Sequence, residues 1–142
     1  MRHDRLMDLW GLFVAAFAAA TILPLASEIP LALVVSRGGD PWWPVAVATL
    51  GNYLGACTTY CLARAAAGTL APRLPEHRPR ALAWFQRYGP PSLLLSWVPL
   101  AGDGIVVLAG AARMPFVTFS VWTALGKAAR YLVVAWTVLD VR

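Results

Sequence analysis

Apolar residues fall in four long blocks, 9–23, 44–62, 92–112 and 116–139, separated by short polar connections. Each block is at or near the roughly 20 residues that a helix needs to cross a bilayer. Two of the four are broken from within. After the first block Pro24, Ser27, Glu28 and Pro30 interrupt the run, and residues 31–36 resume it only briefly. At 1.5 Å per residue that short return rises only about 9 Å, too little to finish a crossing. Proline removes a rung of the helix ladder and a glutamate is costly in lipid. The pattern predicts a helix that enters, breaks over residues 24–30 and turns back. The third block repeats the design, with apolar residues 92–98, a break over residues 99–104 carrying Pro99, Gly102 and Asp103, and a short return from Ile105. Each predicted hairpin is followed by a polar break and then by an uninterrupted apolar run.

A displacement of 75 residues superposes the two halves. Pro24-Leu25-Ala26-Ser27-Glu28 falls on Pro99-Leu100-Ala101-Gly102-Asp103, and Leu50-Gly51 falls on Leu125-Gly126. The matching residues are the ones a membrane segment least needs: a proline with an acid four positions on, then a glycine. If each hairpin leaves by the face it entered and each long run crosses once, the second copy is inverted relative to the first. Inverted repeats with broken helices meeting near mid-membrane are a transporter architecture. The expected fold is therefore all-α, a single integral membrane domain over residues 1–142. Repeat one covers about 6–63, a basic connecting loop covers 64–91 and repeat two covers about 92–139.

Composition sharpens this picture. The chain is 59% hydrophobic and 13% charged, where a soluble domain is about a quarter charged. Its net charge of +5 is strung along the connections and forms no single patch, which fits topology signals and anionic lipid better than nucleic acid. The connecting loop holds Arg64, Arg73, Arg78, Arg80 and Arg87 against one acid, Glu76. Within it Leu82, Trp84, Phe85 and Tyr88, with Arg80 and Arg87, form a short amphipathic stretch suited to the membrane surface. Counting basic residues alone and adding Arg113, this side outweighs the side of Arg2, Arg5, Arg37 and Arg142, so the loop is expected to be cytoplasmic. Trp42, Trp43 and Trp84 at block edges suit an interfacial belt. The first block lacks a small-x-small cleavage site and is read as part of the mature chain. Cys57 and Cys61, four apart in an apolar helix, are read as packing residues, and no metal constellation accompanies His3 or His77. Signatures of soluble enzymes are missing from the sequence, and neither catalysis nor a cofactor is expected.

The chemistry resides in a few polar residues that lipid should exclude. Glu28 and Asp103 sit at the predicted tips, Asn52 near the middle of the first long run, and Lys127 and Arg130 near the middle of the second. Lys127 and Arg130 are three apart and share a helix face. Each lies about 18 Å from an end of its run, a long way to snorkel. Two acids balance two bases, so a central cluster neutralises itself when empty and can rearrange around an anionic headgroup or a proton. Structural ion pairing and helix-start capping by the acids are the plainer alternatives. Gly51 and Gly55 form a GxxxG spacing that lets another helix approach. Asp40, beside Pro41, is most simply a turn residue.

In these residues the chain resembles the DedA (VTT, or SNARE-associated Golgi protein) superfamily, and its small YqaA-like branch. The resemblance spans roughly residues 17–136. It rests on Ala20-Thr21-Ile22-Leu23-Pro24-Leu25-Ala26-Ser27-Glu28, Gly51-Asn52-Tyr53-Leu54-Gly55, Arg87-Tyr88-Gly89, Leu95-Ser96-Trp97-Val98-Pro99-Leu100-Ala101-Gly102-Asp103 and Gly126-Lys127-Ala128-Ala129-Arg130-Tyr131. It implies a multi-pass protein of the bacterial inner membrane with opposed re-entrant hairpins, related to proteins that move lipids such as polyprenyl phosphates or phospholipids between leaflets. Glu28 and Asp40 match in position the two acids important in the larger members. Where those members place arginines around the second proline, this chain has Ser96 and Gly102.

Three functions follow as expectations. The first is translocation of a lipid or small anion, with Glu28 and Asp103 as proton-linked or gating acids and Lys127 and Arg130 as headgroup contacts. The second is a membrane scaffold supporting envelope integrity, and the third a small proton-coupled multidrug exporter working through Glu28. With two of four segments incomplete, a homodimer is plausible on size alone.

Overall fold

The described parts of all four apolar blocks fold as helix. A computed structural model describes residues 2–21, 28–37, 40–70, 85, 87–98 and 101–140. Its elements are α1 (Arg2–Thr21), α2 (Glu28–Ser36), α3 (Trp42–Leu70), a 3₁₀ segment (Pro90–Trp97), α4 (Ala101–Ala111) and α5 (Phe116–Asp140), with no strand among the described residues. The all-helical expectation holds. The centres of the two predicted breaks, residues 22–27 with Pro24 and residues 99–100 with Pro99, lie outside the described residues, as does most of the amphipathic stretch (71–84 and 86).

The short helices begin inside the predicted breaks. Pro30 occupies the first turn of α2, where a missing N–H leaves no carbonyl without its donor. Gly102 and Asp103 likewise sit inside the first turn of α4. Glu28 and Asp103 therefore open their helices, where the positive end of the macrodipole favours an acid. A second difference concerns α3, which continues through Leu70 and carries Arg64 on helix where a loop was expected.

The expectation of two cleanly apolar spans needs correction. Among the described residues no helix is long and apolar enough to cross a membrane. Length is not the shortfall, since α3 has 29 residues and α5 has 25. Their polar positions are: Thr49, Asn52 and Tyr53 in α3, and Thr123, Lys127 and Arg130 in α5 lower the mean hydropathy of each helix.

Close contacts define how the helices run. Gly51 approaches Phe13 and Ala16, Gly55 approaches Phe17 and Ala20, and Thr59 Oγ1 donates to Ala20 O, so α1 and α3 are parallel. Arg37, just past α2, donates from Nη1 to both Asp8 oxygens at 2.8 and 2.9 Å, which brings the end of α2 back beside the start of α1. Tyr53 bonds Ser120, Tyr60 stacks on Phe119, and Trp42 shares a groove with Trp136, so α3 and α5 are antiparallel. Packing then follows an exchange: α1 lies on α3 and the 3₁₀ segment on α5, while α2 packs on α5 and α4 on α3. Two apolar clusters result, one around Leu12, Leu31 and Tyr131, the other around Tyr60, Val106 and Phe119.

Candidate functional site

The long helix α5 carries both bases on one face. Lys127 is 1% exposed, and its Nζ lies 3.4 Å from Asp103 Oδ1. Arg130, one turn on, donates from Nε to Glu28 Oε1 at 2.8 Å, and its Nη2 reaches the same oxygen. The acids come from the opening turns of the two short helices, so α2 and α4 each dock an N-terminal carboxylate on the same stretch of α5. The pairing is ordered: the acid of repeat one meets Arg130 and the acid of repeat two meets Lys127. Lys127 stands eleven residues past the start of α5, about 16 Å along it.

Burial separates the two pairs. The Lys127 side chain is 1% exposed and Asp103 34%; Arg130 and Glu28 are 10% and 26% exposed. A buried ammonium with one acceptor at 3.4 Å has unused donor capacity. Beside it, Thr123 lies one turn earlier on α5, and Ser96 Oγ would lie 2.8 Å from a Cβ added to Gly126. Both hydroxyls are buried without a hydrogen-bond partner, as are Thr49 Oγ1 and Asn52 Oδ1 on α3. Buried polar atoms without partners mark a place for water or a polar ligand. Thr49 and Thr123 have no special mark in the sequence; only the i, i+4 relation of Thr123 to Lys127 points to it.

The remaining candidates take other places. Asn52 is buried and donates from Nδ2 to Ala16 O at 3.1 Å, tying α3 to α1. Asp40 is exposed and its Oδ1 accepts from Trp42 N at 3.0 Å, which caps α3. Glu28 opens α2 and Asp40 follows its far end, so the helix puts about 12 Å between the two levels. The structure thus does not bring Asp40 to the ion pairs, and its position in the resemblance has a turn-and-cap explanation here. Gly51 and Gly55 admit α1, and Gly126 admits the 3₁₀ segment, with Leu93 O and Leu94 O at 3.2 and 3.1 Å from an added Cβ. Among the described residues no group of His, Cys, Asp and Glu is arranged to hold a metal.

The surface around this polar interior is apolar. Along α5, Val117, Val121, Leu125, Val133 and Trp136 are exposed while Thr123 and Lys127 are buried. A molecule that turns its polar residues inward and its large apolar ones outward is built to be surrounded by lipid.

An all-helical membrane protein with paired charges at its centre is what this fold and site define. The VTT domain matches residues 23–138. The chain is 40% identical over 130 residues to "Inner membrane protein YqaA" of Escherichia coli (strain K12), covering 91% of this chain and 89% of that one. The protein of the same name from Shigella flexneri gives the same figures, and an uncharacterized protein of Haemophilus influenzae is 36% identical over 135 residues, covering 85% of this chain and 81% of its own. No solved structure matches. The chain belongs to the VTT-domain, or DedA, family and is a membrane protein.

Proposed function

We propose that this chain is a multi-pass inner-membrane protein that moves a lipid or another small anionic substrate between leaflets. The observation that carries the reading is the double acid–base contact on α5. Both bases ride on one long helix, while each acid belongs to a short helix of its own, α2 with 9 residues and α4 with 11. In the resting arrangement Glu28 and Asp103 neutralise Arg130 and Lys127. A phosphate or carboxylate entering from the exposed side of the acids takes over the two bases, and the hydroxyls of Ser96 and Thr123 donate to its oxygens. The displaced carboxylates then take up protons or swing away with their helices, which links substrate entry to movement of the two hairpins.

The hairpins are read as re-entrant and the repeats as inverted. The antiparallel α3 and α5, the return of α2 beside α1 and the exchange of α2 and α4 between the long helices all support that reading. Polar faces on α3 and α5 are tolerated in lipid because they are buried against the hairpins.

Liposomes holding the purified protein and a fluorescent phospholipid test it by leaflet exchange. Glu28→Gln keeps the side-chain shape but cannot titrate, so exchange should fall to the level of empty liposomes while the protein stays inserted. Full exchange by Glu28→Gln at every pH would end the proton-linked role. The same acid–base pairs also suit a static scaffold, which would retain its function in the swapped variant Glu28→Arg with Arg130→Glu. A translocator loses activity in that swap, because the base leaves the helix that receives the substrate.

A further inference from the structure

At the other end of α3, away from the ion pairs, two arginines line one pocket with no carboxylate beside them among the described residues. A pocket of about 400 Å³ is lined by Cys61, Arg64, Ala65, Gly68 and Arg113. Arg64 is held by its own contacts: Nη1 donates to Tyr60 OH at 3.0 Å and to Met114 O at 3.2 Å. Arg113 Nη2 would lie 3.1 Å from a Cβ on Gly68, so its guanidinium rests against α3 one turn beyond Arg64. The ion pairs among the described residues join Arg37 to Asp8, Lys127 to Asp103 and Arg130 to Glu28, and neither pocket arginine takes part.

The backbone at Arg113 makes the arrangement harder to dismiss as surface decoration. Arg113 has φ 54°, in the left-handed region. Its N–H bonds Gly110 O at 2.9 Å and the next N–H, of Met114, bonds Ala109 O at 3.1 Å. This is the Schellman ending of a helix, whose left-handed position normally takes glycine. The first repeat has glycine at the corresponding place, Gly38, 75 residues earlier. An exposed arginine at a position that usually takes glycine, lining one pocket with a second exposed arginine, is an uncommon arrangement that a bound anion would account for.

We infer that Arg64 and Arg113 hold the phosphate of an anionic phospholipid headgroup at this end of the molecule. Two arginines lining one pocket offer N–H donors to phosphate oxygens, and an anion between them balances their charge. Cys61 and Ala65 supply an apolar approach for the glycerol and upper acyl chain, and exposed Leu62 continues that surface. Basic pockets between membrane helices take such headgroups. The site is separate from the pairs on α5 and does not depend on the translocation reading.

Binding of a short-chain phosphatidylglycerol to the full-length protein in neutral detergent tests the inference, with short-chain phosphatidylcholine and inorganic phosphate as the other arms. Phosphatidylglycerol should saturate and phosphatidylcholine should not. Arg113→Gly should weaken phosphatidylglycerol about tenfold through loss of a charge-assisted contact, while its melting temperature equals or exceeds that of the wild type, because glycine takes the left-handed conformation freely. Arg113→Lys keeps a charge but loses the forked donors, and should bind between the two. Unchanged binding by Arg113→Gly overturns the site. So does equal binding of both lipids, or a lowered melting temperature of Arg113→Gly with binding intact, which would assign the arginine to the helix end alone. Saturation by inorganic phosphate with no added affinity for the lipid overturns the headgroup assignment.

Discussion

Lys127 and Asp103 illustrate how one pair can be asymmetric. Removing the acid strands an ammonium that is 1% exposed, whereas removing the base leaves a carboxylate that is 34% exposed and so less enclosed by the protein. A stranded buried charge is the more damaging outcome. Asp103→Ala should therefore cost about 2–3 kcal/mol, and Lys127→Met about 1 kcal/mol or less, after allowance for the partial exposure of the acid. Thermal unfolding in detergent measures both, and equal losses would show that burial does not govern this pair. The double change Asp103→Ala with Lys127→Met should be milder than Asp103→Ala alone, since no charge remains to be stranded.

At the scale of elements, glycine spacing sets how closely helices approach. A Cβ at Gly55 would lie 2.6 Å from Phe17 O and 2.8 Å from the Ala20 methyl, both on a helix that cannot yield locally. Gly55→Ala should push α1 from α3 and cost about 1–3 kcal/mol. Gly11 has nothing within 4 Å of an added Cβ, so Gly11→Ala should gain about 0.5–1 kcal/mol from reduced backbone freedom. Opposite signs for two glycine-to-alanine changes in helices are the expected result in parallel melting measurements. A loss at Gly11 equal to that at Gly55 would mean that helix approach is not what distinguishes them. The eight-residue 3₁₀ segment is longer than such helices usually run. It begins with Pro90 and Pro91, follows Gly89 at φ 63° and presses on Gly126, so its tighter winding coincides with a close crossing over α5.

The whole molecule has two ends of different character. One carries the start of α1, the Asp8–Arg37 pair, Trp42 and the end of α5; the other carries Arg64, Arg113 and the start of the basic segment. If the helices cross a bilayer, the termini share one face and the basic segment occupies the other. Single cysteines replacing His3, His77 or Arg142, after Cys57 and Cys61 have been changed to serine, test this with a membrane-impermeant thiol reagent. His3→Cys and Arg142→Cys should react from one side and His77→Cys from the opposite side. Reaction of all three from the same side would rule out the inverted arrangement.

The sequence by itself determined that the chain is helical, that its apolar runs are interrupted at two corresponding places and that four ionisable residues stand within or beside those runs. Those features are legible because they depend on residue type and spacing along one chain: proline and glycine break helices locally, and hydropathy is read position by position. Family membership was legible for the same reason, from short runs around Glu28, Gly51, Pro99 and Lys127. Only the tertiary structure decided which acid meets which base, because Glu28 and Arg130 are 102 residues apart and their meeting depends on α2 crossing to α5. It alone separated Asp40 from that cluster as a cap, turned Pro30 from a breaker into a first-turn residue, and carried α3 through Arg64. The unpartnered hydroxyls of Ser96 and Thr123 and the left-handed Arg113 lay beyond sequence reasoning altogether. Nothing about serine, threonine or arginine in a sequence reports a missing hydrogen bond or a backbone angle, since both arise from how neighbouring helices close around them.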